Sequence, residues 1–292
     1  MHWQTILLEF CAISLLWATP AFSCVDLKLC RADILVDVRL DTIMRHAAVP
    51  PYEELLQIGV THLGTQIDTR FLNDTVMANA LRRWVLKVHA NGLLTYASIR
   101  EGNLALLLAV SGQALALGFD EIEFDELLSS HSMPTKQVLG AIVDLRKAHP
   151  SVTITLTEYA RDSIRSLFRM LSRIPNIRIA IDVYNNLTAV SDLSKISPSA
   201  ERLGAWTLIV NDTNADSYDN LLTWIITIRR LGYDLYLFTI DPSGGWKERW
   251  SLVKYALTTP LSCFANSPIF PEEFHRAITS NIPKATHGEL TH

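Results

Sequence analysis

The feature that most constrains the fold is a regular alternation of short β-rich runs with longer amphipathic segments. Eight β-rich runs occupy residues 32–40, 60–68, 93–99, 119–127, 152–159, 177–185, 205–212 and 233–241. Helical candidates lie between them at residues 51–59, 75–92, 104–118, 134–150 and 217–232. Strands that alternate with amphipathic helices form a parallel sheet covered by helices. Eight such units predict an α/β protein with a single (β/α)8 TIM barrel.

Glycine residues separate several helical segments from the strand that follows. They are Gly59, Gly92, Gly118, Gly204 and Gly232. A helix often ends at a glycine because the capping position needs a positive φ. The chain of 292 residues has no linker or low-complexity stretch inside the repeat. We therefore expect one barrel over residues 24–259, followed by a C-terminal covering segment and frayed tail over 260–292.

The first 23 residues have the pattern of a secretory signal peptide. An apolar stretch, Ile6–Ala18, precedes small residues that include Ser23, after which we expect cleavage. Glu9 interrupts the stretch and no Lys or Arg precedes it, so a membrane anchor or an amphipathic helix remains an alternative. No later segment has the roughly 18 continuous apolar residues of a membrane span. The sequence thus predicts a secreted or extracytoplasmic protein without a membrane span.

Alternation along the strands places several charged residues inside the barrel. In the fourth run Ile122 and Phe124 share one face, so Glu123 and Asp125 lie on the inward face. The same rule turns inward Asp37, Arg39, Asp41, Gln66, Asp68, Asp182 and Tyr184, while Asn211, Asp212 and Asp241 end the last two runs. Buried unpaired charges are unfavourable, and barrel active sites lie at the C-terminal ends of the strands. These side chains therefore predict a site at the barrel mouth.

Other interpretations of these charges are possible. Arg39 and Arg100 can neutralise Asp37 and Asp125 in a structural ion-pair network. We expect no metal site, since no strand has a His-x-His pair, and no Schiff-base lysine, since no strand ends in Lys. A phosphodiesterase of the glycerophosphodiester type would need a histidine at the end of the first strand, and that strand end has none. No dinucleotide fingerprint follows that strand, so no cofactor is expected. A net charge of -4 without basic runs argues against nucleic acid as a partner.

The fourth run resembles the signature of the family 18 glycoside hydrolases, the chitinases and chitinase-like lectins, which is Gly-Phe-Asp-Gly-x-Asp-x-Asp-x-Glu. Gly118, Phe119, Asp120 and Asp125 match it, Glu123 replaces the second Asp, and Leu127 occupies the catalytic Glu position. Further fragments resemble the family's second, third and sixth strands at Thr61, His62, Ser98, Ile99 and Tyr184, with Asp182 and Asn185 in place of Met and Asp. Phe238 falls near the aromatic residue that floors the sugar site.

The resemblance implies glycan chemistry with a changed acid. In that family the Glu protonates the glycosidic oxygen, while Asp and Tyr orient the acetamido group that attacks the anomeric carbon. Leu127 cannot donate a proton, and Glu126 points to the opposite face unless the strand end is bulged. Two classes remain open. One is a glycosidase that uses Glu126 or Asp125, and the other is a lectin-like barrel without catalysis.

The glycosidase hypothesis gives a set of candidate residues. The catalytic candidates are Asp125, Glu126 and Glu123, with Asp182, Asp212 or Glu158 as a partner carboxylate. The candidates for ligand binding are Tyr184, Asp182, Asn185, Ser98, Arg39, Gln66, Asp212 and Asp241. Trp206 and Trp246 can stack on sugar rings, although such tryptophans more often serve packing. The expected partner is a glycan that contains N-acetylglucosamine or a related sugar.

A first prediction concerns the cysteines that remain after signal cleavage. Cys30 precedes the first strand and Cys263 follows the last helix, so both are expected at the bottom of the barrel, where a disulfide between them would stabilise by about 4 kcal/mol. A short-loop disulfide from Cys24 to Cys30 is the alternative. Peptide mapping of the non-reduced protein should recover a Cys30–Cys263 peptide, and a Cys24–Cys30 peptide would contradict the prediction.

Overall fold

The architecture is a parallel sheet whose eight described strands close on themselves. The protein is described by a computed structural model over residues 32–128, 131–159, 171, 176–182, 203–208, 218–240 and 246–264. The strands are β1 (Ile34–Val38), β2 (His62–Ile67), β3 (Leu94–Ile99), β4 (Glu121–Asp125), β5 (Thr153–Tyr159), β6 (Ile177–Asp182), β7 (Leu203–Leu208) and β8 (Asp234–Ile240). Each strand pairs in parallel with the next, and β8 pairs with β1. The predicted parallel α/β architecture is confirmed.

Seven helices are described, and they connect consecutive strands or follow the last one. They are α1 (Leu40–Met44), α2 (Tyr52–Gln57), α3 (Thr75–Ala90), α4 (Leu104–Leu117), α5 (Thr135–Ala148), α6 (Tyr218–Leu231) and α7 (Trp246–Thr258). Short 3-10 turns occupy Thr69–Leu72 and Leu261–Phe264. The connections after β5 and β6 lie largely outside the described residues, so the full set of eight helices stays a prediction. None of the described helices is both long and apolar enough for a membrane span.

Two local predictions are wrong. The first strand ends at Val38, and Asp41 lies in the first turn of α1 rather than on the strand. The backbone turns because the carbonyl of Arg39 accepts the N–H groups of Thr42 and Ile43, which begins a helix. Gly204 does not cap a helix but lies inside β7.

Four of the five glycines named as helix ends do adopt the expected conformation. Gly59, Gly92, Gly118 and Gly232 have φ values of 87°, 80°, 102° and 70°. A residue with a Cβ rarely adopts such values. At Gly118 the left-handed backbone ends α4 just before β4 begins. Residues 118–127, called the signature segment below, therefore enter the sheet at this point. The glycine pattern was therefore a sound guide to the strand starts at these positions.

Side chains on the two faces of the sheet form two separate apolar cores. The outward faces pack against the helices through residues such as Val36, Leu63, Ile99 and Phe124, all essentially inaccessible to solvent. The inner core is a small layer made by Leu35, Tyr96, Ala180 and Tyr236. The rings of Tyr96 and Tyr236 meet edge to face with centroids 6.4 Å apart, a favourable aromatic geometry. This layer fills the middle of the barrel.

Below that layer, an arginine binds three carboxylates at the N-terminal ends of the strands. Arg178 of β6 is fully buried and lies 2.6 Å from Asp33, 3.0 Å from Glu121 and 3.2 Å from Asp234. His62 lies 3.2 Å from the second oxygen of Glu121. Burial of a charge is strongly unfavourable unless it is paired and hydrogen-bonded. The network therefore joins β6 to the starts of β1, β4 and β8.

The close approach of Tyr96 to Gly64 gives a second prediction. A Cβ on Gly64 would lie 2.1 Å from the ring carbon Cζ of Tyr96. Gly64→Ala should therefore lower the free energy of unfolding by about 1–3 kcal/mol through overpacking. Gly140→Ala in α5 is the matched control, because a Cβ there meets nothing within 4 Å; it should stabilise by up to about 1 kcal/mol through helix propensity. Urea unfolding measures both, and equal effects would contradict the prediction.

Candidate functional site

Polar side chains from four neighbouring strands converge inside the upper half of the barrel. Alternation from the apolar inner layer places Asp37, Ser98, Glu123, Asp125 and Thr157 on the inward faces of β1, β3, β4 and β5. All five are buried, with exposures between 0% and 8%. They lie toward the C-terminal strand ends, where barrels of this kind carry their active sites. The structure thus brings together Asp37 of β1 with Glu123 and Asp125 of β4, which were predicted to point inward, and with Ser98 of β3, a predicted ligand-binding residue.

Glu123 is held by hydroxyl groups from both neighbouring strands. Thr157 of β5 donates its hydroxyl to Oε1 of Glu123 at 2.5 Å, and Ser98 of β3 also hydrogen-bonds to this carboxyl. Burial raises the pKa of Glu123 well above its usual value, and the charge of Asp125 raises it further, while the two hydroxyl bonds lower it. Its Oε2 has no hydrogen-bond partner among the described residues. Glu123 is therefore a carboxyl group that holds a proton readily.

Arg100, just after β3, binds two consecutive carboxylates of the signature segment. Its Nε lies 3.0 Å from Oδ2 of Asp125, and its Nη2 lies 2.9 Å from Oε2 of Glu126. The Arg100 side chain is 35% exposed and that of Asp125 is 12% exposed. A guanidinium with its fixed fork of donors suits such double contact. The pair Asp125 and Arg100 is the part of this cluster that solvent reaches.

Glu126 reaches Arg100 because the backbone leaves the strand conformation at this residue. Its φ is 51°, in the left-handed region that residues other than glycine rarely adopt. The Glu126 N–H still donates to the carbonyl of Thr157 at 2.9 Å. Strict alternation would turn Glu126 away from Asp125, but the left-handed turn brings both carboxyls to one arginine. This is the kind of strand-end irregularity that an inward Glu126 requires.

The protonation of Asp125 and Asp37 reflects burial against their neighbours. Burial raises the pKa of Asp125; the charge and hydrogen bond of Arg100 lower it, and the charge of Glu126 raises it. Burial raises the pKa of Asp37 to about 8, with a further increase from Asp125 and an opposing effect from Arg39. Burial thus favours the protonated form of both carboxyls, and Arg100 opposes it at Asp125.

Leu127, which stands where the resembled signature has its catalytic Glu, is part of the outer core. Leu127 is fully buried and packs with the apolar residues between sheet and helices. Glu158 is also on the outer side, because it alternates with the inward Thr157 on β5. It is fully buried, and its Oε1 accepts the N–H of Leu128 at 2.7 Å. The suggestion that Glu158 serves as a partner carboxylate at the mouth is therefore wrong.

The remaining predicted residues near β1 and β2 lie at or just beyond the C-terminal ends of these strands. Arg39 and Gln66 are exposed. Asp68 does not face the barrel: it follows the end of β2, caps the 3-10 turn and binds the Arg70 guanidinium at 2.6 Å. The hydrogen bond from the Arg70 side chain lowers the pKa of Asp68. Asp68 is thus a local cap, and its predicted inward position is wrong.

Several predicted site residues cannot be placed by the described part of the chain. The backbones of Asp182, Trp206 and Trp246 lie in β6, β7 and α7, and their side chains are outside the description. Tyr184, Asn185, Asn211, Asp212 and Asp241 lie wholly outside it, as do Cys24, Cys30 and the signal-like segment. Their roles stay predictions.

Two residues near the cluster were missed by the sequence interpretation. Thr157 binds Glu123, and the alternating threonines of β5 were a signal that could have found it. His131 is exposed and follows the signature segment; a Cβ on Gly102 would lie 3.2 Å from its Nδ1. Burial dominates the pKa of Asp125, and the charge of His131 is among the influences that lower it. No sequence pattern marked this histidine.

The described residues contain no group of three or more His, Cys, Asp or Glu side chains with a geometry for a metal ion. Asp125 and Arg100 can exchange hydrogen bonds with a polar ligand, and buried carboxyl groups behind them can hold protons.

Comparison with known proteins establishes the fold alone. No family model matches the chain, and no curated protein matches it. Among solved structures, a dihydrodipicolinate synthase from Agrobacterium tumefaciens str. C58 has 13% identity and a TM-score of 0.53, with 87% of this chain and 82% of that chain covered. A β-mannanase from Thermomonospora fusca has 12% identity and a TM-score of 0.52, with 71% and 78% covered. The chain thus shares the fold of TIM-barrel enzymes, at identities too low to transfer a function.

A third prediction tests the pairing of Arg100. Arg100→Gln leaves two buried carboxylates without this partner, so it should lower the free energy of unfolding by about 1–3 kcal/mol at pH 8, discounted for the exposure of the arginine. The loss should be smaller at pH 5 than at pH 8, because burial raises the pKa of Asp125 and a protonated carboxyl needs no counter-charge. Urea unfolding at both pH values measures this, with the exposed Arg83→Gln of α3 as control. A loss that is equal at both pH values would contradict the assignment.

Proposed function

We propose that this chain is a secreted (β/α)8 barrel, diverged from the family 18 glycoside hydrolases, that binds a glycan at its acidic mouth. The expected ligand contains N-acetylglucosamine or a related sugar, as the resemblance of the signature segment implies. The observation that carries the proposal is the cluster in which Arg100 holds Asp125 and Glu126 together at the C-terminal strand ends.

The groups that a ligand can reach at the barrel mouth are suited to binding a glycan. Sugars are recognised by fixed donors and acceptors next to apolar surfaces. Asp125 supplies acceptors and Arg100 supplies donors, and both remain partly exposed. The buried hydroxyls of Ser98 and Thr157 fix Glu123 below them. A rigid and partly exposed pair of this kind provides directional hydrogen bonds without any need for an acid catalyst.

Hydrolysis is a second candidate, and the left-handed turn at Glu126 is the observation that favours it. A general acid must reach the glycosidic oxygen in its protonated form. The turn brings a carboxyl beside Asp125, and burial raises the pKa of Asp125. Arg100 opposes this because it contacts both carboxylates and favours their ionised forms. Binding is for this reason the first proposal and catalysis the second.

The β-mannanase is a glycosidase by name, and it adds only that this fold can carry such chemistry. One fold hosts many unrelated activities, so the argument rests on the residues of the mouth. Secretion rests on the predicted signal over residues 1–23. N-terminal sequencing of the protein recovered from the medium of expressing cells, beginning after Ser23, would support it.

The fourth prediction separates the two candidates. The wild type, Asp125→Asn, Glu126→Gln and the surface control Asp144→Asn of α5 should be tested by calorimetry with chito-oligosaccharides and other glycans. Loss of the Asp125 charge should weaken binding by about 10- to 100-fold, equivalent to roughly 1.4–2.8 kcal/mol. Asp144→Asn should bind as the wild type does, since that side chain is exposed on a helix.

Cleavage of the same glycans, followed by chromatography, decides the second candidate. Cleavage that disappears in Glu126→Gln while binding persists would establish Glu126 as the acid. Binding without cleavage in every variant would establish a lectin-like barrel. No binding to any glycan would refute both candidates. Unchanged binding in Asp125→Asn together with a large loss of stability would instead support a purely structural ion-pair network.

A further inference from the structure

Asp37 is a buried carboxyl that the proposed binding surface does not use. It is the inward residue near the end of β1, and it is 2% exposed. Its Oδ1 has no hydrogen-bond partner among the described residues. Each buried polar atom in this state needs an explanation, since such groups are nearly always paired. Asp37 is therefore a candidate for a specific role.

The register of the sheet and the position of the Tyr96 ring direct this tyrosine toward the strand that carries Asp37. Asp37 pairs with Gly64 on β2, and Gly64 pairs with Tyr96 on β3. The outer part of the Tyr96 ring lies directly over Gly64, where a Cβ would come within 2.1–2.2 Å of three ring atoms. With strands about 4.8 Å apart, the ring extends across β2 toward β1. The Tyr96 hydroxyl is buried and likewise lacks a hydrogen-bond partner among the described residues.

Charges of both signs act on Asp37. Among the described residues, the titratable and charged groups that interact with it are Asp125, Arg39, Tyr96 and Glu123. Arg100 contacts Asp125 directly. No described cation lies within ion-pair distance of Asp37, and Arg39 is exposed. Because the available positive charge is already bound to Asp125, a proton is favoured on Asp37 rather than on Asp125.

We propose that Asp37 is a positioning residue that holds a proton beneath the barrel mouth and so lets Asp125 remain ionised and paired with Arg100. The Tyr96 hydroxyl is the polar group that faces this carboxylic acid across Gly64. Burial raises the pKa of Asp37 to about 8, consistent with a neutral group at physiological pH. The effect on ligand binding rests on the function proposed above, whereas the protonation itself does not.

The neutral form of Asp37 matters for ligand binding because the ionised form would disturb Asp125. An ionised Asp37 adds a like charge next to Asp125 in a site of low dielectric constant. Repulsion between the two carboxylates then disturbs the geometry of Asp125 on Arg100. This change displaces the ionised acceptor that the ligand would contact. Glycan binding should therefore weaken as the pH rises above about 8.

The sign of the effect on stability follows from the same shift. The pKa of Asp37 is higher in the folded state than in the unfolded chain, so the folded state binds more protons between these two values. This contribution to stability is fully present below the unfolded value and is lost as the pH rises through about 8. Asp37→Asn keeps a neutral side chain of the same shape, so its stability should fall less with rising pH than that of the wild type.

The fifth prediction is a direct titration of the aspartate carboxyls. In protein labelled with ¹³C-aspartate, the signals of Glu123 and Glu126 are absent, and Asp37→Asn and Asp125→Asn assign the two buried aspartates. We expect the Asp37 carboxyl to titrate near pH 8 and Asp125 to be ionised at pH 7. An Asp37 carboxyl that ionises near pH 4, or an Asp125 carboxyl that is protonated at pH 7, would overturn the proposal. If Asp37→Asn fails to fold, backbone-linked assignment of the wild-type signals gives the same test.

Binding measurements at different pH values test whether the proton on Asp37 affects ligand affinity. Affinity for chito-oligosaccharides should fall by about tenfold for each pH unit above 8 in the wild type and stay level in Asp37→Asn, as expected for one linked proton. Asp144→Asn should follow the wild-type profile. An identical profile for wild type and Asp37→Asn would overturn the positioning role. If the titration behaves as expected but no glycan binds at any pH, the proposed function fails while the protonation of Asp37 stands.

Discussion

Charged side chains inside a closed sheet require opposite charges from other strands, and this constraint organises the whole interior. Arg178 meets it at the N-terminal end, where it binds Asp33, Glu121 and Asp234 from three different parts of the chain. Removal of one partner from such a network leaves an uncompensated buried charge, which is strongly destabilising. Glu121 and Asp33 accept hydrogen bonds from Arg178 and lie 57 and 145 residues away from it in the sequence. The network thus forms only when the strands have closed around it.

The clusters around Arg178 and Arg100 differ in access to solvent. This difference assigns a structural role to the first and the proposed binding role to the second. The Arg178 side chain is 0% exposed, so a ligand cannot reach it. The Arg100 side chain is 35% exposed and holds Asp125 and Glu126 at the opposite end. A partly hydrated ion pair can replace a contact with water by a contact with a ligand, and the desolvation penalty is smaller than for a fully buried pair. The C-terminal end is therefore the end at which binding is argued.

The periodicity of the sequence predicted most of the fold but only part of the site. Strands and helices followed from apolar alternation and from glycines such as Gly118, because both are local signals. The Arg178 network was missed, since nothing local marks partners on distant strands. The contact of Glu126 with Arg100 depends on a left-handed backbone dihedral that strand alternation does not predict. Asp41 was misplaced because the chain begins a helix one residue after Arg39.

The apolar layer in the middle of the barrel explains why Asp37 is the carboxyl proposed to hold a proton. Tyr96 and Tyr236 fill this layer with Leu35 and Ala180, and they separate Arg178 from Asp37 and Asp125. A fully buried Arg178 that already binds three carboxylates cannot serve as the counter-charge for a second group of acids. Arg100 has two carboxylates of its own. Gly64 makes the separation possible, because only a residue without a Cβ allows the Tyr96 ring to lie across β2. Among the described residues, protonation is then the remaining way to bury Asp37 without an unpaired charge.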